Sequence, residues 1–230
     1  MNRTRIDWCD YTWNPVTGCR RNCWYCYVRR LPNYEKEPRF HPDRLNQPFK
    51  AKHKKIFVCS TADLFGPWIP DEWIENVVEV TKQNPQNIFL FLTKFPDRLK
   101  NFRFPMNCWL GTTVEEARYL GRIVYLNERE NTKFVSFEPL LEDIIAFRKT
   151  GINAKDILKR IDWIIIGGLT GTPSINCGNT PIMELWIEKI LLAARQLNIP
   201  VFIKDNAKYK ERIKKFPEYK FGSKTLDEFL

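Results

Sequence analysis

The chain has 230 residues, of which 43% are hydrophobic and 14% aromatic. This composition suits one folded domain with a substantial core and excludes a disulfide-stapled miniprotein or a disordered chain. The net charge of +10 is unevenly spread: residues 1–55 carry 13 basic and 5 acidic side chains, 204–230 carry 8 and 5, and 56–203 carry 16 and 17. Basic ends of this kind suit phosphates or an acidic partner, unless they form a solvated, lysine-rich surface.

In chain order, a first strand is expected within Ile6 to Trp13, followed by a cysteine-rich segment. A long irregular excursion then spans about 33–55, where Pro38, Pro42 and Pro48 punctuate the chain. Short runs rich in β-branched and aromatic residues follow at Ile56 to Cys59, Asn87 to Leu92, Cys108 to Gly111, Lys133 to Phe137, Asp162 to Ile166 and Pro200 to Ile203, and read as strands buried on both faces. Helices are predicted between them at Asp71 to Asn84, Glu115 to Arg129, Asn153 to Arg160 and Pro181 to about Leu197, the last capped by Thr180. A basic C-terminal extension begins at about 205.

Strand starts 20 to 37 residues apart are the repeat of βα units with right-handed crossovers. The expected fold is therefore α/β, a complete or partial (β/α) barrel, with a doubly wound sheet as the alternative. No linker-like stretch divides the chain, so 1–230 reads as a single domain. No run approaches the ~18 apolar residues of a membrane span, and the start lacks the apolar core of a secretory signal. A cytoplasmic protein with no membrane partner is expected.

Of the seven cysteines, three crowd into Cys19-Arg20-Arg21-Asn22-Cys23-Trp24-Tyr25-Cys26, a C-x3-C-x2-C pattern. An odd cysteine count without a secretory signal favours reduced thiols, some of them binding metal. A structural zinc site wants four closed ligands, and only His41 or His53, at unrelated spacings, would supply the fourth. Three thiolates can instead hold a 4Fe-4S cluster and leave one iron open.

This pattern, with Tyr25 before the third cysteine, resembles the signature of the radical S-adenosylmethionine (SAM) superfamily. Further phrases, among them Thr12-Trp13-Asn14-Pro15, Leu92-Thr93-Lys94-Phe95-Pro96 and Phe137-Glu138-Pro139-Leu140, resemble a phage-associated branch of it. Some members of that branch are encoded beside a three-Cys-motif partner protein. The resemblance implies that Cys19, Cys23 and Cys26 ligate three irons and that SAM chelates the fourth. Reductive cleavage would give methionine and a 5′-deoxyadenosyl radical that takes a hydrogen atom from the substrate. A reductant such as a flavodoxin or ferredoxin is then a further partner.

Because ligands gather at the C-terminal ends of barrel strands, the resemblance nominates SAM contacts there. They are Ser60, Thr61 and Asp63, then Thr112, Thr113 and Glu115, then Ser136 and Glu138, and the pair Gly167 and Gly168, with Tyr25 as the adenine neighbour. Lys94 and Lys204 end strands too, and are expected to contact SAM or substrate, or to pair with Glu115 or Glu138. Cys59 and Cys108 read as buried small hydrophobes, whereas Cys9 and Cys177 have weaker claims on the site. The aromatics near the cysteines, with Arg20, Arg21, Arg29, Arg30, the Lys50 to Lys55 run and the Lys208 to Lys220 tail, suit a nucleic-acid substrate to be modified or repaired. The alternatives are a protein or peptide substrate, or a zinc-stabilised nucleic-acid binding module without enzymatic activity.

Overall fold

The computed structural model describes residues 1–31, 34–127, 129–145, 154–170, 181–218, 220–221 and 224–225. Its frame is an eight-stranded sheet. In chain order the strands up to residue 203 are β1 (Asn2–Arg3), β2 (Tyr11–Trp13), β3 (Val16–Thr17), β4 (Arg39–Phe40), β5 (Lys55–Val58), β6 (Ile88–Thr93), β7 (Cys108–Thr113), β8 (Lys133–Phe137), β9 (Trp163–Ile166) and β10 (Val201–Ile203). The sheet order is β1-β2-β5-β6-β7-β8-β9-β10, while β3 and β4 form a separate ribbon in the long excursion.

From β2 to β10 every neighbour is parallel; β1 alone is antiparallel to β2. This is the partial barrel expected from the βα repeat, and the expected strands fall where their apolar runs lie. The first strand is shorter than the segment searched for it, since residues 4–10 make a turn back from β1. Helices α1 (Asp71–Lys82), α2 (Ala154–Leu158) and α3 (Pro181–Gln196) pack outside the sheet. Thr180, the expected cap of α3, lies outside the described residues.

One expected helix is different. Ala117–Leu126 is a run of 3-10 turns rather than an α-helix, and its buried side chains are Ala117, Leu120, Ile123 and Leu126. A spacing of three matches the three residues per turn of a 3-10 helix, which lines such side chains up on one face.

The sheet separates two cores. On its convex side, Ile56, Phe89, Leu110, Val135, Ile164 and Val201 pack against the helices. On its concave side, Trp8, Phe57, Leu90, Trp109, Phe134, Trp163, Ile165 and Phe202 form a second cluster, joined by Phe216. The two edges of the open sheet meet without strand pairing. Residues 213–215 run antiparallel along β10, with the Ile203 N–H donating to Ile213 O and the Lys215 N–H to Val201 O. From this segment Lys214 Nζ reaches Asp7 (2.6 Å), in the turn before β2, and Asp205 (2.7 Å).

Candidate active site

At the C-terminal ends of the strands opens a cavity of about 730 Å³. Its wall includes Cys19, Cys23 and Cys26, the strand ends Ser60, Asp63, Lys94, Thr113, Ser136, Glu138 and Lys204, and Trp8 and Phe57 below. The cysteine segment enters through Gly18, whose positive φ of 84° suits glycine, and where a Cβ would stand 2.1 Å from the Glu37 carbonyl oxygen. The segment then turns through a Cys26 N–H to Cys23 O bond of 3.1 Å.

All three thiols are unbridged and partly exposed. Burial pushes the Cys19 thiol above its ordinary pKa, opposed by hydrogen bonds from backbone amides. Three reduced thiols on one cavity wall are a donor set that fits a three-thiolate metal group. They are not drawn together as a closed metal site: among the described residues, no group of three candidate ligands is disposed to hold an ion. His41, the candidate fourth zinc ligand, instead meets the Thr17 hydroxyl at 2.9 Å and does not line the cavity.

Most of the nominated SAM contacts converge on this cavity. Ser60 donates its hydroxyl to Asn14 Oδ1 (3.1 Å), which also accepts the Thr61 N–H. Asp63 is buried and accepts from the Thr93 hydroxyl (2.6 Å), the Lys94 N–H (2.9 Å) and the Phe65 N–H (3.3 Å), tying the end of β5 to the end of β6. Burial raises its pKa against these bonds. Glu138 pairs with Lys204, one of the two partners foreseen for that lysine, and Asn206 caps the same oxygen. Gly167 makes room for this carboxylate, since a Cβ there would lie 2.7 Å from Glu138 Cδ.

Three nominated residues fall elsewhere. Thr112 points to the convex side and donates to Thr93 O at 2.9 Å, leaving its neighbour Thr113 on the cavity wall. Gly167 stands behind Glu138, and only Gly168 reaches the lining. Glu115 is buried behind Tyr25 and accepts the Tyr25 hydroxyl at 2.7 Å and Arg122 at 2.8 Å. Burial opposes its charge, yet Lys94, the Tyr25 hydroxyl and Arg122 hold its pKa below the ordinary glutamate value.

On the cavity wall, the buried polar atoms Ser136 Oγ, Trp8 Nε1 and Thr61 Oγ1 have no partner among the described residues, and Ser136 and Trp8 are only 1% and 2% exposed. An unpaired polar group buried in this way carries a cost that a ligand or water can relieve.

The basic residues divide between the two ends of the barrel. Lys55 begins β5 at the opposite end from the cysteines, its ammonium 4.4 Å from the Phe216 ring centre. The Lys50 to Lys55 run therefore does not share the cysteine mouth. In the tail, Lys210 pairs with Glu184 and Glu188, and Lys214 closes the seam. At the mouth, Arg5, Arg21, Arg29, Lys94 and Lys204 line the cavity. Arg20 is paired with Glu37. Cys9 is buried and faces Ile6 O (3.8 Å), and Cys108 is buried against Thr81. Cys59 is buried and also lines the cavity, with its thiol pushed up to about 12 by burial. Cys177 lies outside the described residues.

A family model described as protein of unknown function, DUF5131, matches residues 3–229. The chain belongs to the DUF5131 family. No curated protein matches this DUF5131 chain. Among solved structures it is similar in fold to spore photoproduct lyase. Its form with bound AdoMet and dinucleoside spore photoproduct superposes with a TM-score of 0.65 at 12% identity. A form complexed with dinucleoside spore photoproduct gives 0.61, also at 12% identity. Each match covers 88% of the DUF5131 chain and 78% of the lyase chain. At this identity the likeness is one of fold, and it agrees with the partial barrel read from the strand repeat.

Sequence reasoning reached Thr113 but gave Asn14 no role on the cavity wall. Asn14 had a signal, because it follows the first strand directly and so stands at a strand's C-terminal end.

Proposed function

We propose that this chain is a radical SAM enzyme acting on nucleic acid. The observation that carries the reading is the meeting of three reduced cysteines, in C-x3-C-x2-C spacing, with the strand ends of a partial barrel around one cavity. Cys19, Cys23 and Cys26 would hold the cluster, which supplies an open iron and one-electron chemistry. The barrel's task is to position the reactants and exclude water. Thr113, Ser136, Glu138 and Gly168 are the wall groups available to SAM or substrate, with Ser60 and Asp63 holding the β5 end in shape.

The rim supports nucleic acid as the substrate class. Trp24, Tyr27 and Leu31 are 54%, 41% and 42% exposed on the cysteine segment, beside Arg29, which has no ion pair among the described residues. Exposed aromatics interleaved with arginines give bases a stacking platform and phosphates a cation. Spore photoproduct lyase structures with dinucleoside spore photoproduct bound support DNA or RNA as the substrate class here. An electron-donor protein of the flavodoxin or ferredoxin kind completes the reaction, and a three-Cys-motif protein is a candidate partner in substrate choice.

The test is direct. Anaerobically reconstituted protein should be brown, bind iron and sulfide, cleave SAM when reduced, and bind single-stranded DNA or tRNA with an affinity that falls as salt rises. Colourless protein holding one zinc and leaving SAM intact would overturn the enzyme reading. Salt-independent or absent nucleic-acid binding beside intact SAM cleavage would move the substrate to protein or peptide.

A further inference from the structure

The residue between the second and third cysteines is tyrosine, and its hydroxyl has a definite partner. Tyr25 Oη donates to Glu115 Oε1 at 2.7 Å, while the Arg21 guanidinium stands 3.9 Å from the same oxygen. Both side chains belong to the cysteine segment, and Glu115 stands just beyond the end of β7. Its other oxygen is held by Arg122 at 2.8 Å, and Arg122 also donates to Thr113 O at 2.8 Å. Arg122 is thus fixed to the end of β7 and to the 3-10 run. Glu115 is 2% exposed, so the carboxylate is shielded from water. Hydrogen bonds to a charged partner are the stronger kind, and a buried carboxylate left without them is costly.

We infer that Glu115 is the positioning residue of the cysteine segment: it clasps Tyr25 and Arg21 from that segment while Arg122 anchors it to the barrel, so the three thiols are aimed at the cavity before any metal arrives. The inference rests on the proposed function only for the identity of what the thiols hold. It gives Glu115 a role other than touching SAM, because its oxygens already have partners. It also divides Tyr25 between two tasks, leaving the ring to the cavity and the hydroxyl to the clasp. Lys94, 5.7 Å from the centre of that ring, adds a cation on the cavity side.

The experiment uses the full chain, first without metal. Fast amide hydrogen exchange is compared among wild type, Tyr25→Phe, Glu115→Gln and the double variant. Tyr25→Phe keeps the ring and removes only the hydroxyl, so the protein should fold even where Glu115→Gln does not. Amides of residues 20–27 should exchange about tenfold faster in Tyr25→Phe, the size expected for losing a hydrogen bond to a charged group. Amides of β6, β7 and β8 should be unchanged. Since the two residues act as one unit, the double variant should exchange no faster than the faster single variant. Unchanged exchange at 20–27 in Tyr25→Phe, or single effects that multiply in the double variant, would overturn the inference. After anaerobic reconstitution, Tyr25→Phe should retain iron but give a more heterogeneous electron paramagnetic resonance signal. A wild type that takes up no iron refutes the cluster reading instead, and the metal-free exchange result decides the clasp independently.

Discussion

The two ends of the barrel are built from opposite materials. At the N-terminal end, Trp163 touches the rings of Trp8, Trp109, Phe134, Phe202 and Phe216, with centroid distances from 5.1 to 6.4 Å. That plug closes the lumen with apolar surface. At the C-terminal end the same strands finish in Thr113, Ser136, Glu138 and Lys204 around an open cavity. Burial can supply stability at one end while the other keeps polar groups available for ligands, as Ser136 Oγ does. If this division is correct, damage to one end should leave the property of the other largely intact.

The largest expected effect lies at the mouth. Cys23→Ala should lose the reconstituted iron and all SAM cleavage, measured by iron content and deoxyadenosine release. Its urea midpoint without metal should stay near that of wild type, because Cys23 is outside both apolar clusters. Retention of full iron binding would show that the thiols do not act together. At the other end, Trp163→Ala should cost about 3 to 5 kcal/mol of stability, the usual range for deleting a large buried aromatic. It also removes the donor to Lys215 O, at 2.8 Å, and so loosens the C-terminal segment. A loss of SAM affinity in a still-folded Trp163→Ala protein, larger than its loss of stability, would break the proposed division between the ends.

The seam between the sheet edges tests the same contrast more gently. Lys214→Met removes the ammonium that Asp7 and Asp205 share. The half-buried pair with Asp7 should contribute about 1 kcal/mol or less, and salt should reduce it further. Denaturation midpoints of wild type and Lys214→Met should therefore converge as salt rises. A gap that grows with salt would mean that apolar packing changed by the substitution, and not the charge of Lys214, sets the difference.

How much of this was legible in the sequence follows from what each pattern encodes. Runs such as Trp163–Ile166 announce strands, and their spacing announces the parallel sheet. But a strand buried on both faces carries no alternation, so the sequence does not say which parity faces inward. That is why Thr112 and Thr113 are both expected at the site, although only Thr113 lines the cavity. Proximity along the chain also misled. Lys50 to Lys55 follow the cysteines closely, yet β5 runs toward the mouth and its first residues are therefore at the far end. The 3-10 run was legible after all, in the unbroken spacing of three through Ala117, Leu120, Ile123 and Leu126, but that spacing overlaps the i, i+3 half of the α-helical pattern. Glu115 could not be placed, because an acid after a strand looks the same whether it faces a ligand or a tyrosine 90 residues away.

The smallest predicted effect is a pH dependence that belongs to the mouth alone. The folded protein holds the Glu115 pKa below its ordinary 4.5, since the favourable influences of Lys94, Tyr25 and Arg122 outweigh burial. A depressed carboxylate pKa means that the unfolded chain binds the proton more readily, so stability rises with pH in that interval. The contribution is complete above about pH 4.5 and is lost as pH falls through the folded value. Glu115→Gln, which cannot titrate, should therefore show a flatter acid limb than wild type in urea unfolding followed below that pH. Trp163→Ala should keep the wild-type slope, because the aromatic plug contributes no titrating group. Parallel acid limbs in wild type and Glu115→Gln would mean that Arg122 and Lys94 do not favour the charged carboxylate as the geometry requires.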